Sequence, residues 1–263
     1  MFEIFKNLFA KEKDLKQTKP SSNYEYIVLV DYDNVKLLFR NRGVEHVVNR
    51  IITNISPRLN SKYNRIRLRL YGGWYQNQTL SKNAQKLSSD ITTKFPTVES
   101  INFNNEIYKC IINVELAYTL EFDHKHKLFN TYRKRTIPSG IKANRAPYHN
   151  CKNNKNCELS NIYRFIKDKS CPNSICDVPL NDVLEKNEQK LVDTMITSDI
   201  IYLSFNDNTE LCVVTSDDDI LPGINTALYN NTKLIHLHTH SNRKTPTYYI
   251  PTSNNSYVQL NMS

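Results

Sequence analysis

No stretch of this sequence approaches the roughly 18 consecutive apolar residues that a membrane-spanning helix needs, so no membrane span is expected. An export leader is not expected either, because residues 1–10 carry charge inside their apolar run. The expected location is therefore the cytoplasm. Internal repeats are absent, which excludes a solenoid or propeller assembled from copies of one unit. Six cysteines in a reducing compartment are free or metal-bound rather than disulfide-bonded. Acidic side chains are in the minority: Lys and Arg number 35 against 26 Asp and Glu, giving a net charge of +9. That balance favours a polyanionic partner such as RNA. With 263 residues, 39% of them hydrophobic, the chain can build one large domain, or a domain plus a module.

Residues 1–23 are expected to be an amphipathic helix and linker. Phe2, Phe5 and Phe9 fall at helical spacing with Ile4 and Leu8, and Pro20 ends the segment. Such a helix suits packing on the domain, a protein partner or self-association. The main domain is placed at 24–250, followed by a loose polar tail at 251–263. Residues 25–31 form a nearly continuous apolar strand ending in Asp31. Asn34 suits the turn that follows and could cap the next helix, which runs through Val47, Val48, Ile51 and Ile52. Residues 65–71 alternate strictly and stop at Gly72, predicting a second strand with Arg65, Arg67 and Arg69 on one face. A polar helix over 81–94 leads to strands at 98–103 and 107–118. Residues 184–205 predict a further helix, 211–216 a strand, 220–229 a helix and 233–239 a last strand. On that strand His236 and His238, with His240 beyond, share a face, expected to be solvent-facing or at a sheet edge.

Between these elements lie two unusual segments. Residues 122–135 mix Lys125, Lys127, Arg133, Lys134 and Arg135 with Phe, Tyr and His, which suits either a solvated hairpin or a single-stranded RNA groove. Residues 142–180 hold two cysteine pairs, Cys151 with Cys157 and Cys171 with Cys176. Two such pairs can supply four thiolates to one structural Zn²⁺, with His149 as a substitute ligand.

The chemistry concentrates where strands end in acid. The strand at 211–216 runs directly into Asp217, Asp218 and Asp219, and the first strand ends at Asp31. Like charges held close destabilise a fold unless a cation or backbone N–H groups compensate them. Strand–helix alternation predicts an α/β domain with a mainly parallel sheet, whose strand ends lie side by side on one edge. Asp31, Asp217 and Asp219 can then converge, with Asp193 arriving from a neighbouring helix. An all-oxygen pocket of this kind suits Mg²⁺ or Mn²⁺ and can act on a phosphodiester. Asp193 and Asp199 are six residues apart and do not share a helix stripe.

Asp31 with Asn34, Lys190 with Val192, Asp193 and Asp199, and Ser216-Asp217-Asp218-Asp219 before Pro222 together resemble the NYN branch of the PIN-like nucleases. The resemblance covers about 25–240 apart from the 142–180 insertion. It implies a PIN-like sheet flanked by helices and metal-dependent RNA cleavage that leaves a 5′-phosphate. It also implies Asp31, Asp193, Asp217 and Asp219 as Mg²⁺ or Mn²⁺ ligands, and Asn34, Ser216, Lys190 and Asp199 in support. The sequence departs from the family at Tyr32, where a small residue is usual, and at Asp218, where glycine is usual.

Two other readings use the same residues. Asp31 and Asp33 also resemble the start of haloacid-dehalogenase-type phosphatases, with Asp31 as nucleophile, Asp33 as acid/base and Asp217 with Asp218 on magnesium. Alternatively, a basic PIN-like module could bind RNA or a protein without turnover.

Overall fold

Residues 26–30 contain no charged side chain, and they form the middle of the central strand. The computed structural model describes residues 25–59, 63–103, 106–135, 141, 158–206, 209–246, 250 and 256–262. Its elements in chain order begin with β1 (Glu25–Asp31), α1 (Leu37–Arg40), α2 (Val44–Ile55), β2 (Arg65–Tyr71), β3 (Tyr75–Gln76), β4 (Thr79–Leu80) and α3 (Lys82–Lys94). Next come β5 (Thr97–Phe103), β6 (Glu106–Leu116), β7 (Tyr132–Arg135), α4 (Glu158–Asp168), α5 (Leu180–Val183) and β8 (Lys186–Gln189). The chain continues with α6 (Val192–Ser204), β9 (Glu210–Val214), α7 (Leu221–Tyr229), β10 (Lys233–His238) and β11 (Tyr257–Asn261).

The main sheet has seven strands in the order β11-β10-β9-β1-β2-β6-β5. All its pairings are parallel except β5 with β6, which form an antiparallel hairpin at one edge. A central parallel strand is covered on both faces, and Val28, Leu29 and Val30 are accordingly fully buried. Each such side chain contributes about 1.5–3 kcal/mol of hydrophobic stabilisation relative to exposure. On one face α2 packs Val44, Val47, Val48, Ile51 and Ile55 against Val28 and Val30. On the other, α6 and α7 bring Ile196, Ile200 and Ile224 against Leu29 and Val213. Helix α3 starts where the Ser81 hydroxyl accepts a hydrogen bond from Ala84 N–H at 3.2 Å.

A small second sheet, β4-β3-β7-β8, stands beside the carboxyl end of β2. It matters to the site because β8 leads straight into α6. Lys190 N–H donates to Thr131 O at 2.9 Å, and Leu191 turns sharply with φ 69° before the helix starts. Gly73 lies against this sheet: a Cβ there would sit 3.1 Å from the Tyr132 ring. No helix among the described residues is long and apolar enough to cross a membrane.

Several sequence expectations need correction. The helix expected over 184–205 is divided: 186–189 pair with β7 as a strand, and only Val192–Ser204 is helical. Residues 186–189 are all polar and carry no apolar period of their own, so a window judged by its later apolar residues conceals the strand. The tail expected to be loose supplies β11, a parallel edge strand beside β10. Because β11 pairs along β10, His236 and His238 are interior, each 1% exposed, whereas His240 beyond the strand is exposed. Asn34 caps no helix, since α1 has no side-chain cap. The expected helix of residues 1–23 lies outside the described residues, as do Cys151, Cys157 and His149.

Candidate metal centre

Strand order reverses direction around β1. The chain moves from β1 to β2 on one side, and later returns to place β9 on the other. The carboxyl ends of β1 and β9 therefore flank the crevice where open α/β sheets hold their ligands. Asp31 closes β1, and Thr215, Ser216, Asp217, Asp218 and Asp219 follow β9.

Asp193, Asp217 and Asp219 converge, each offering a carboxylate oxygen within 4.8 Å of the other two. Asp193 lies in the first turn of α6, where helix N–H groups favour negative charge. Burial raises its pKa, and the neighbouring Asp217 and Asp219 raise it further. The Asp217 carboxylate accepts from Asp219 N–H at 3.1 Å, which fixes the turn carrying both side chains. Among the described residues no cation is paired with any of the three.

Asp31 stands next to this triad but outside it, almost fully buried at 4% exposure. Its carboxylate accepts from Thr215 Oγ1 at 2.9 Å and from Asn34 N–H at 3.2 Å. Burial pushes its pKa up to about 7 against those two hydrogen bonds, and Asp193 and Asp33 add to the rise. Asp193 contributes because a second carboxylate nearby disfavours the charged form of Asp31.

Asn34 and Ser216 bind strand ends together instead of facing the acids. Asn34 Oδ1 accepts from Ser216 N–H at 2.9 Å and from the Thr239 hydroxyl, while Ser216 Oγ accepts from His240 N–H at 3.0 Å. Behind them His236 contacts Thr215 O through Nε2 and Tyr257 Oη through Nδ1. Burial drives the His236 pKa down to about 3, with His238 adding to the effect, so His236 is neutral, and both of its ring nitrogens are already engaged by Tyr257 and Thr215.

Other expected site residues are placed elsewhere. Asp199, assigned to support the metal, is fully buried under β2. Its carboxylate accepts from Tyr71 Oη at 2.5 Å and Glu121 N–H at 2.8 Å, with Arg69 at 3.5 Å. Arg67 and Arg69, expected to steer RNA, are tied into the same network. Arg67 pairs with Glu25 at 2.9 Å, Glu115 at 3.0 Å and Glu121 at 2.5 Å, and Arg69 with Glu115 at 2.8 Å and Glu121 at 3.0 Å. They share one sheet face as the alternation predicts, but that face carries acids from β1, β6 and the loop after it. Arg65 is half-buried, whereas Lys125, Lys127 and Arg133 are exposed. The side chains of Lys134 and Arg135 lie outside the described residues. Lys190 is half-buried at the entry to α6. Cys171 and Cys176 are free and half-buried.

Asp33 and Asp218 both turn away from the triad. Asp33 accepts from Gly73 N–H at 2.8 Å and pairs with Arg40 at 3.1 Å. A Cβ on Gly72 would sit 2.7 Å from the Asp33 carboxylate, so only glycine admits this approach. Asp218 pairs with Arg243 at 2.6 Å. Sequence reasoning missed Thr215, Thr239 and Arg243. Thr215 adjoins the acidic run, so its place at a strand end was an available signal; the other two follow a distant strand and gave none.

Comparison with family models, curated proteins and solved structures finds no match for the chain. The fold and site define an α/β protein with a mainly parallel seven-stranded sheet, a small second sheet, and an acidic triad at the sheet's switch point that forms no ion pair among the described residues.

Proposed function

We propose that the protein is a divalent-metal-dependent ribonuclease of the PIN-like, NYN kind. The observation that carries this reading is the convergence of Asp193, Asp217 and Asp219 beside Asp31, with no cation paired to the triad among the described residues. The donor set is entirely carboxylate oxygen, which fits Mg²⁺ or Mn²⁺ and not a softer ion. Asp193, Asp217 and Asp219 would hold the cation, with Asp31 as a further ligand or an acceptor for a bound water. When bound, such a cation neutralises charge developing on a phosphodiester and activates water for in-line attack, leaving a 5′-phosphate.

The protein's own groups supply the rest. Thr215 and Asn34 fix the Asp31 carboxylate, and the Asp219 N–H fixes Asp217. Exposed Lys125, Lys127 and Arg133 are available to the RNA backbone, and added salt should weaken their contribution. The engagement of Asp33 by Gly73 and Arg40, and of Asp218 by Arg243, favours the nuclease over the phosphatase, which needs both carboxylates free. The Cys171 and Cys176 thiols remain candidates, with Cys151 and Cys157, for a structural Zn²⁺. The deciding experiment incubates purified protein with single-stranded RNA, with Mn²⁺ or with EDTA, alongside Asp217→Asn. Mn²⁺-dependent degradation that the variant lacks is expected. Intact RNA in every lane would leave a binding module as the better description.

A further inference from the structure

The loop after β10 is tied to the strand ends that carry the acidic site. Thr239 donates to Asn34, His240 N–H donates to Ser216, and Lys36 Nζ donates to Ser241 Oγ at 3.2 Å. Two residues beyond Ser241, Arg243 reaches the Asp218 carboxylate at 2.6 Å. Asp218 is flanked in the chain by two members of the triad, yet its side chain leaves them for this guanidinium. Asp218 first, and then Asp217, holds the Arg243 pKa above its ordinary value, so the guanidinium also feels the triad itself.

This ion pair differs from those of Arg67 and Arg69. Both partners are open to solvent, 40% and 49% exposed, and among the described residues one guanidinium nitrogen is used. The Nε–H of Arg243 is shielded from solvent and has no acceptor among the described residues. An exposed single contact of this kind is weak and easily exchanged. A phosphate oxyanion, by contrast, can take a guanidinium through two parallel hydrogen bonds. Lys36 adds a second cation on the same rim. Directly after it Leu37 and Leu38 are 62% and 63% exposed, an apolar contact that unstacked bases can use and a duplex hides.

We propose that Asp218 is a built-in competitor for the phosphate backbone of single-stranded RNA. It occupies Arg243 at the edge of the acidic site until a phosphodiester takes the guanidinium over. The proposal rests on RNA being the ligand of this site, as inferred above, but its test needs no catalysis.

Binding of a short fluorescent oligouridylate is measured by anisotropy in EDTA, so that neither cleavage nor a cation contributes. Asp218→Asn tightens binding by roughly two- to fivefold, the range an exposed ion pair can withhold. Arg243→Ala weakens it by roughly five- to tenfold and lowers the slope of affinity against salt by about one. In the Arg243→Ala background, Asp218→Asn brings no further gain. Equal tightening in both backgrounds would mean that only net charge matters, and would overturn the proposal. So would unchanged or weaker binding by Asp218→Asn, or no binding by any of these proteins. Metal-dependent cleavage without an Asp218 effect on binding would sink the competitor and leave the nuclease. Tighter binding by Asp218→Asn without any cleavage would do the reverse.

Discussion

Two clusters of charge lie on this sheet, and they are solved in opposite ways. Under β2, Arg67 and Arg69 meet Glu25, Glu115, Glu121 and Asp199, so that every carboxylate has a cation or an N–H donor. Burial alone would lower the Arg67 pKa, yet Glu121, Glu25 and Glu115 hold it above the usual arginine value. The same arginines hold Glu121 below the usual carboxylate range in spite of its burial. At the switch point, Asp193, Asp217 and Asp219 crowd together with no ion pair among the described residues, one N–H donates to Asp217, and Asp193 is raised. A charge network that closes on itself stabilises a unique packing. One left open stores repulsion that a ligand can relieve, and that contrast is why only the second is a functional candidate.

The sharpest way to break the contrast is to remove one charged group from each cluster. Asp217→Asn should lower Mn²⁺-dependent RNA degradation on the order of a hundredfold or more while leaving thermal stability unchanged or higher. A variant that melts early and still cleaves would reverse the roles of the two clusters. Arg69→Met should do the opposite, costing about 3 kcal/mol in urea unfolding, because it leaves Asp199 buried without its cation. Saturating Mn²⁺, at about a hundred times its dissociation constant, should stabilise the wild-type protein by about 2.7 kcal/mol. Asp193→Asn should lose most of that gain, which calorimetry can measure.

A smaller and pH-dependent difference belongs to Asp31. Its folded pKa of about 7 lies above the ordinary 3.8, so the folded state binds the proton more tightly than the unfolded one. In metal-free protein the stability linked to Asp31 is full below about pH 4 and is lost as pH rises towards about 7. Unfolding in EDTA across that window should show this decline, and Asp31→Asn should remove it. A flat wild-type profile would mean that Asp31 is not desolvated as described. The least effect expected is from Thr215→Val, about 1 kcal/mol, through the lost hydrogen bond to Asp31. That change should also extend the pH-dependent decline to higher pH, because the Thr215 hydrogen bond holds the Asp31 pKa down.

Much of the fold was legible in the chain. The strand at 65–71 was found to the residue by its alternation, and β1 by its unbroken apolar run. The error over 184–205 arose because a strand and a helix abut with only Lys190 and Leu191 between them, and Leu191 turns through a backbone conformation that leucine seldom adopts. Of the four aspartates expected to act together, three do converge and Asp31 stands beside them. Asp199, expected to support the site, faces the wrong way for it. A helix stripe could separate Asp199 from Asp193, but could not reveal that Tyr71, Arg69 and the chain at Glu121 would close around it.

What the sequence determined by itself was the alternation of elements, and with it the placing of acid at strand ends, because periodicity and burial are properties of neighbouring residues. Which acids would meet, and which would be neutralised, depended on strand order. Parallel pairing puts Arg65 opposite Ile111 and Val30 opposite Val214, residues far apart in the chain, and no local pattern encodes that register. The triad needed β9 beside β1 and α6 started from the second sheet. Asp218 needed Arg243 to arrive from beyond β10. Charge compensation is a property of who stands next to whom, and only the tertiary structure decides that.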